Sequence, residues 1–225
     1  MQAGEWMSTT ESAEMYLKTI CELEDGDEPV AISRVAERLG VSPVSATEMV
    51  KRLAERGLLD HTLYKGVTLT EAGRRRALNV LRRHRLWECF MVDHLGVAWE
   101  KSHDFACRIE HSTNDEVAEA LAVFLGQPTR CPHGNPIPTS DSEVAQCHTT
   151  ALNQLEIGQG GRVACIYREE TALLNYLAPR RVFPDQLVSV EDIAPFNGPL
   201  TVRIGDQTHV LGREIAAHIL IKPDS

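Results

Sequence analysis

The sequence predicts a mainly α-helical protein with a smaller β part: a winged helix-turn-helix, a helical middle segment and a small C-terminal β-barrel. Three observations predict this order. Up to about residue 125, apolar residues recur at helical spacing between capping and turn signals. Among those helices, LLDHTLYKGVTLTEAG at 58–73 reads as two short strands around a turn. From residue 151 the period shifts towards two, with Gly and Pro separating short β-rich runs.

Residues 11–24 place Met15, Tyr16, Ile20 and Leu23 near one helical face, and the acidic DGDEP at 25–29 stops that helix. Residues 32–39 form a second helix opening on Ser33, with Val35, Ala36 and Leu39 inward. Gly40-Val41-Ser42 supplies a tight turn, and Ser42 followed by Pro43 is a cap followed by a proline at the first helical position. The helix it opens runs to Gly57, with Val44, Met49, Val50 and Leu53 as core contacts. Two short helices joined by a Gly-containing turn form a helix-turn-helix. The hairpin that follows turns at Tyr64-Lys65-Gly66, and Thr70 caps a new helix with Glu71 in its first turn. Residues 71–95 read as one long helix and 99–125 as one or two more. Residues 126–150, rich in Pro, Ser and Thr, are a linker or an ordered surface loop. Strands are expected at 163–167, 187–193, 200–204, 208–211 and 218–221, enough for a small barrel.

At 225 residues the chain can bury a substantial core. No apolar run approaches the roughly 20 residues that span a bilayer. The N-terminus lacks a basic segment followed by an apolar one, so neither a signal peptide nor a membrane partner is expected, and a cytoplasmic location is. The six cysteines are scattered and read as free thiols, with one or two as metal ligands. The formal net charge is −9, but it is segregated: residues 28–87 hold twelve Lys/Arg against six Asp/Glu. A basic segment in an acidic chain is a candidate footprint for a phosphate backbone.

The densest chemistry lies at His103, Cys107, Glu110 and His111, spaced i, i+4, i+7 and i+8, so that on an α-helix they share one face. His84 and Glu88 form a second i, i+4 pair upstream. Burying such groups unpaired is costly, and a transition-metal site satisfies them together. Mixed nitrogen, oxygen and sulfur donors suit late first-row divalent ions better than Ca²⁺ or Mg²⁺. Cys131-Pro-His133 with Cys147-His148 is only a weak match to structural zinc spacing, and H-E-x-x-H is absent. So are a phosphate-binding Gly-rich loop and G-x-S-x-G, and no catalytic residue is assigned. His61, His94, His148, His209 and His218 read as ordinary core or surface residues.

Over nearly its whole length the sequence resembles the diphtheria-toxin-repressor family of metal-dependent transcriptional regulators. The resemblance is carried by SAEMYLKTICELE, RVAERLGVSPVSATEMVKRLAERGLL, KGVTLTEAG, RRHRLWE, HDFACRIEH and CPHGNPIP. It implies a DNA-binding domain at 8–76, a helical metal-binding and dimerisation domain at 77–145, and an SH3-like domain at 151–223. It further implies a regulatory metal site at Met15, Cys107, Glu110 and His111. An ancillary site falls on His84, Glu88 and His103, with Glu170 the nearest candidate to complete it. Some manganese-sensing relatives use the Cys and His of CPHG instead, and Cys131 and His133 keep that option open here.

The implied function is a homodimeric, metal-activated repressor of a palindromic double-stranded DNA operator, with no small-molecule substrate. In that frame Ser42, Pro43, Val44, Ser45, Thr47 and Glu48 meet base edges or nearby phosphates, and Lys51, Arg52 and Lys65 meet the backbone. The soft ligands Met15 and Cys107 favour Fe²⁺ over Mn²⁺, while Co²⁺, Ni²⁺ or Zn²⁺ would also activate in vitro. A metalloenzyme and a structural-metal interaction module are the competing classes.

Overall fold

The computed structural model describes residues 4–24, 26, 28–62, 65–145 and 148–223, with side chains from residue 11 onward. Tyr64 of the expected turn, Asp25 and Asp27 of the expected helix stop, and Cys147 lie outside the described residues. The chain forms two compact units: one comprises residues up to Arg83 together with Pro138–Glu143, the other His84–Ile137 and the residues from Val144 onward.

The first unit begins with α1 (Gly4–Leu23), which buries Ala13, Tyr16, Leu17 and Ile20. Helix α2 (Ile32–Leu39) has the expected bounds, though Ser33 does not cap it. Its N-cap is Ala31, in extended conformation with no side-chain cap bond, and Ser33 sits exposed in the first turn. At its other end Gly40 takes φ 66°, and its N–H reaches the Ala36 and Glu37 carbonyls. Helix α3 (Pro43–Glu55) opens as expected, with Ser42 Oγ accepting from the Ser45 N–H at 3.1 Å. Ala46, Val50 and Leu53 face the core, whereas Val44, expected there, is 69% exposed. The first turn of α3 projects its small side chains outward, so an apolar residue at that position does not imply burial.

Strands β1 (Leu59–Thr62) and β2 (Gly66–Leu69) pair antiparallel, Leu59 opposite Leu69 and Thr62 opposite Gly66. Val30 adds a bridge to this wing, exchanging hydrogen bonds of 2.8 and 2.9 Å with Val67. The approach is close: a Cβ on Gly66, at φ 130°, would lie 2.4 Å from the Val30 carbonyl oxygen. Thr70 Oγ1 accepts from the Gly73 N–H at 3.1 Å and donates to the Gly57 carbonyl, so it caps α4 (Glu71–Asp93) as expected.

The second unit contains the last part of α4, α5 (Ser102–Ile109), α6 (Asp115–Phe124) and the C-terminal strands. A six-stranded antiparallel sheet has the order β3 (Thr150–Ala151), β8 (Ile219–Pro223), β4 (Gly160–Ile166), β5 (Leu187–Ile193), β6 (Leu200–Ile204), β7 (Gln207–Leu211). Bulges interrupt it at Val163/Cys165 and Val190/Asp192, where the added local twist bends the sheet. Its inward residues, among them Val163, Val190, Leu200, Val202 and Ile221, form one core with Leu174 and Leu177. Those two leucines lie on α7 (Thr171–Leu177), an insertion between β4 and β5 that the sequence reading missed; α8 (Arg213–Ala216) precedes β8.

The Pro-rich stretch after α6 is an ordered loop, at least over 129–137. Ile137 N–H bonds to Thr129 O, Gly134 N–H to Cys131 O and Ile166 N–H to His133 O, all within 2.8–2.9 Å. It buries Cys131, His133, Asn135 and Ile137. No helix among the described residues is long and apolar enough to cross a membrane.

Candidate metal centre

All the residues of the cluster described here belong to the second unit. Helix α4 contributes His84 and Glu88, one turn apart and both fully buried. Helix α5 contributes His103 and Cys107 at the same spacing. The expected helical stripe does not continue to His111. The α-helix ends at Ile109, and Glu110–Ser112 form a 3-10 turn leading to Asn114, whose side chain caps α6 by accepting from Val117 N–H at 2.8 Å. Glu110 itself keeps helical backbone angles and stays on the inward face, fully buried, with its Oε2 2.5 Å from His84 Nδ1. His111 Nε2 sits 3.2 Å from the other oxygen of Glu110.

Two further segments complete the cluster. The loop after α6 inserts Cys131 and His133, and the segment following β4 inserts Glu169. His133 Nε2 faces the Trp99 carbonyl at 3.1 Å, which turns Nδ1 towards Glu88 Oε1, 3.2 Å away. A backbone acceptor that fixes the imidazole in this way is a common support for metal-ligating histidines. Asn135 Nδ2 donates to the Ile166 carbonyl and to Glu169 Oε1, which holds the carboxylate in place.

The acidic residue expected to complete the ancillary group was Glu170; the structure places Glu169 there instead. Glu170 is 40% exposed and pairs with Arg168 at 2.6 Å. Glu169 lies in the irregular segment between β4 and α7 and Glu170 at the N-cap position of α7, so neighbouring carboxylates end up one buried and one solvated. The expected division of the 103–111 donors is also less clean than the resemblance implied. Cys107 Sγ lies 3.6 Å from His103 Nε2 and 3.9 Å from His84 Nδ1, so the thiol touches both ancillary imidazoles. Met15 is half-buried on α1 in the first unit.

Among the described residues, three overlapping groups could each hold an ion: His84, His103 and Cys107; His84, Glu88, His103 and Glu169; and Glu88, Cys131, His133 and Glu169. Within each, one donor atom per residue lies within 4.8 Å of the others. Glu88 Oε2 is buried with no hydrogen-bond partner among the described residues, which is costly without a cation. The donor set therefore fits a late first-row divalent ion.

Electrostatics support the same reading. Burial alone would raise Glu88, but the His133 and His84 imidazoles hold its carboxyl well below the usual range. For Glu169, burial and the neighbouring Glu88 charge push upward, and His103, His84 and His133 overcome them to hold it well below the usual range. Burial pulls His103 down, yet Cys107, Glu169 and Glu88 together raise it to about 11. His133 is raised as well, by Glu88 and Glu169 against burial. Without a cation, the His103 imidazole, raised to about 11, is protonated at neutral pH beside the buried carboxylates. The Cys131 thiol is pushed well up by burial and by both glutamates, and Cys89, which belongs to none of these groups, rises to about 12 for similar reasons.

In the first unit, the residues expected to face DNA lie on the outer side of α3 and in the wing. Ser42, Pro43, Val44, Ser45, Glu48, Lys51, Arg52 and Lys65 are exposed, and Thr47 is half-buried with its hydroxyl donating to the Pro43 carbonyl.

Three family models match the chain: the iron-dependent repressor N-terminal DNA-binding domain at 8–67, the iron-dependent repressor metal-binding and dimerisation domain at 70–139, and the FeoA domain at 150–223. The iron-dependent repressor IdeR of Mycobacterium tuberculosis H37Rv is 33% identical over 224 residues, covering 94% of this chain and 97% of its own. The diphtheria toxin repressor of Corynebacterium diphtheriae is 40% identical over 131 residues, 58% of each chain. Among solved structures, a manganese-dependent transcriptional repressor in complex with manganese superposes with a TM-score of 0.86 at 37% identity, covering 94% of this chain and all of that one. IdeR of T. acidophilum gives 0.81 at 26% identity, covering 94% and 97%.

Helix-turn-helix, wing and buried donor cluster together define a metal-responsive DNA-binding protein. The chain belongs to the diphtheria toxin repressor/IdeR family of metal-dependent transcriptional repressors, and is not an enzyme.

Proposed function

We propose that this repressor is a homodimer activated by Fe²⁺ in preference to Mn²⁺, binding a palindromic operator through the two copies of α3. The observation that carries the reading is the buried mixed-donor cluster with its unpartnered Glu88 oxygen. The proposed limits are 8–76 for DNA binding, 77–145 for metal binding and dimerisation, and 151–223 for the SH3-like domain. On this reading Met15, Cys107, Glu110 and His111 hold the regulatory ion, and His84, Glu88 and His103 the ancillary one, with Glu169 in place of Glu170. The bound ion supplies positive charge and a fixed ligand arrangement, which favour one state of the protein by differential affinity.

The residues of this chain supply the rest. His84 and Glu110 tie α4 to the turn after α5. Val44, exposed at the start of α3, suits apolar contact with a thymine methyl, while Lys51, Arg52 and Lys65 suit phosphates. On the second unit Leu95, Val117, Val123 and Phe124 are large, apolar and exposed. Phe124 packs against Phe90 and His94, and the surface around it is proposed as the one a second copy covers.

The preference for iron rests on sulfur donors, which disfavour Mn²⁺. A second reading, a manganese-responsive regulator, is favoured by one observation: Cys131 and His133 stand in the cluster beside Glu88 and Glu169. Activation curves for operator binding under anaerobic conditions separate the two. Half-activation at a lower free Fe²⁺ than Mn²⁺ concentration supports the iron reading, and the reverse order supports manganese.

A further inference from the structure

Two of the donor groups share a pair of carboxylates, and the arrangement of those carboxylates has a consequence for how many ions the cluster holds. Glu169 turns its oxygens in different directions. Oε2 faces the α4–α5 imidazoles, 3.7 Å from His84 Nε2 and 3.5 Å from His103 Nδ1. Oε1 faces the other side, 3.5 Å from Cys131 Sγ and 3.9 Å from His133 Nδ1. Glu88 stands between the same two sides. Its Oε1 is 3.0 Å from His84 Nε2, 3.6 Å from His103 Nδ1 and 3.2 Å from His133 Nδ1, and its Oε2 is buried without a hydrogen-bond partner among the described residues.

Ligand bonds of about 2.0–2.3 Å mean that two donors of one ion lie no more than roughly 4.6 Å apart. With the two glutamates, the His84/His103 and Cys131/His133 pairs each form a group whose donor atoms lie within 4.8 Å of one another, close to that limit, but the two groups are separate. A single ion among His84, His103, Glu88 and Glu169 leaves Cys131 and His133 buried, at 4% and 0% exposure, with one oxygen of Glu169 still turned towards them. A single ion on the other side strands the α4–α5 imidazoles in the same way.

We propose that the cluster holds two divalent ions at once, bridged by Glu88 and Glu169, with His84 and His103 completing one and Cys131 and His133 the other. The inference rests on the metal-dependent reading above and deepens it: the ancillary position is a carboxylate-bridged pair with unlike halves, one of two nitrogens and one of nitrogen and sulfur. Each half has four protein donors, the number that divalent zinc-like ions take in closed sites. The sulfur half favours the softer ion, so the halves are expected to differ in affinity across the late first-row metals.

The test uses the full-length protein and Co²⁺ alone as the probe. Ions per chain are counted after removal of excess metal for the unaltered protein, His103→Ala, Cys131→Ser and the double variant, with folding checked by circular dichroism. The bridged pair predicts the loss of about one ion in each single variant and of two in the double. It also predicts a weaker thiolate-to-cobalt absorption in Cys131→Ser but not in His103→Ala. Loss of one ion or none in the double variant overturns the proposal. Electron paramagnetic resonance of the unaltered protein loaded with Mn²⁺ gives a check that requires no substitution. An exchange-coupled signal supports the pair, and isolated Mn²⁺ signals alone contradict it. Operator binding measured on the same samples keeps the two readings apart. Metal-dependent DNA binding with a single ion in the cluster removes only the bridged pair, whereas two ions without metal-dependent DNA binding removes only the repressor reading.

Discussion

His84 and Glu110 are 26 residues apart in sequence, yet the imidazole Nδ1 of one lies 2.5 Å from a carboxylate oxygen of the other, and both residues are fully buried. The pair fastens helix α4 to the 3-10 turn that ends α5, and it orients the His84 ring so that Nε2 points to Glu88 and His103. An imidazole held at one nitrogen by a carboxylate presents the other to a metal with a defined direction.

Removing one partner of such a buried pair leaves the other uncompensated, at a typical cost of about 3–5 kcal/mol. Glu110→Ala is therefore expected to destabilise the metal-free protein by that order in urea unfolding, and also to abolish metal-activated DNA binding. Unchanged unfolding midpoints would show that the pair contributes little to the fold.

Glu169 and Glu170 are adjacent and chemically alike, but only Glu169 is buried in the cluster. Glu169→Gln is expected to weaken metal binding by tenfold or more, the usual order for loss of an important metal-site group, and Glu170→Gln to leave it unchanged. Calorimetric titration with Co²⁺ distinguishes them; equal effects would contradict the placement.

Metal affinity is expected to rise with pH. His103, raised to about 11, is protonated at neutral pH in the metal-free protein, and an ion binds there only after that proton leaves; His133 is shifted in the same direction. Each proton released steepens the dependence by about tenfold per pH unit. Titrations in buffers of different ionisation enthalpy count the protons, and a count of zero would contradict the assignment. In the metal-free fold the two residue types run in opposite directions. The contribution of His103 is full below its unfolded value of 6.5 and is lost as pH rises through about 11. The contributions of Glu88 and Glu169, whose values are lowered, are present above 4.5 and are lost as pH falls below it.

Cys107→Asp replaces a soft donor by a hard one. The expected result is a shift of activation from Fe²⁺ towards Mn²⁺, read as the ratio of the two half-activating concentrations. An unchanged ratio would count against ligand softness as the origin of the preference.

On the DNA side, Lys51→Ala is expected to weaken binding about equally across sequences and to reduce the salt-dependence slope by about one. Ser42→Ala removes the α3 cap, with an expected loss of about 1 kcal/mol in stability. A salt slope unaltered by the lysine substitution would place Lys51 away from the phosphate backbone.

Much of the fold was legible because its signals are local. Ser42-Pro43 announces α3, Thr70 announces α4, and the runs at 187–193 and 200–204 became strands with those bounds. Helix α7 was not legible: seven residues, TALLNYL, carry no side-chain cap and too few turns to show a helical period. The donors on α4 and α5 stood out through their i, i+4 spacing, whereas the pairing of His84 with Glu110 joins residues 26 apart on different elements, which local spacing does not encode. The choice between Glu169 and Glu170 turns on the direction of the chain as it leaves β4, which neither residue type encodes.

The central claim is that DNA binding requires a divalent ion held by this cluster. Fluorescence anisotropy of a labelled palindromic operator duplex tests it directly, under anaerobic conditions with Fe²⁺ and then with excess chelator. Tight binding is expected with the ion, and loss of that binding on chelation. Equal affinity in the two states would contradict it.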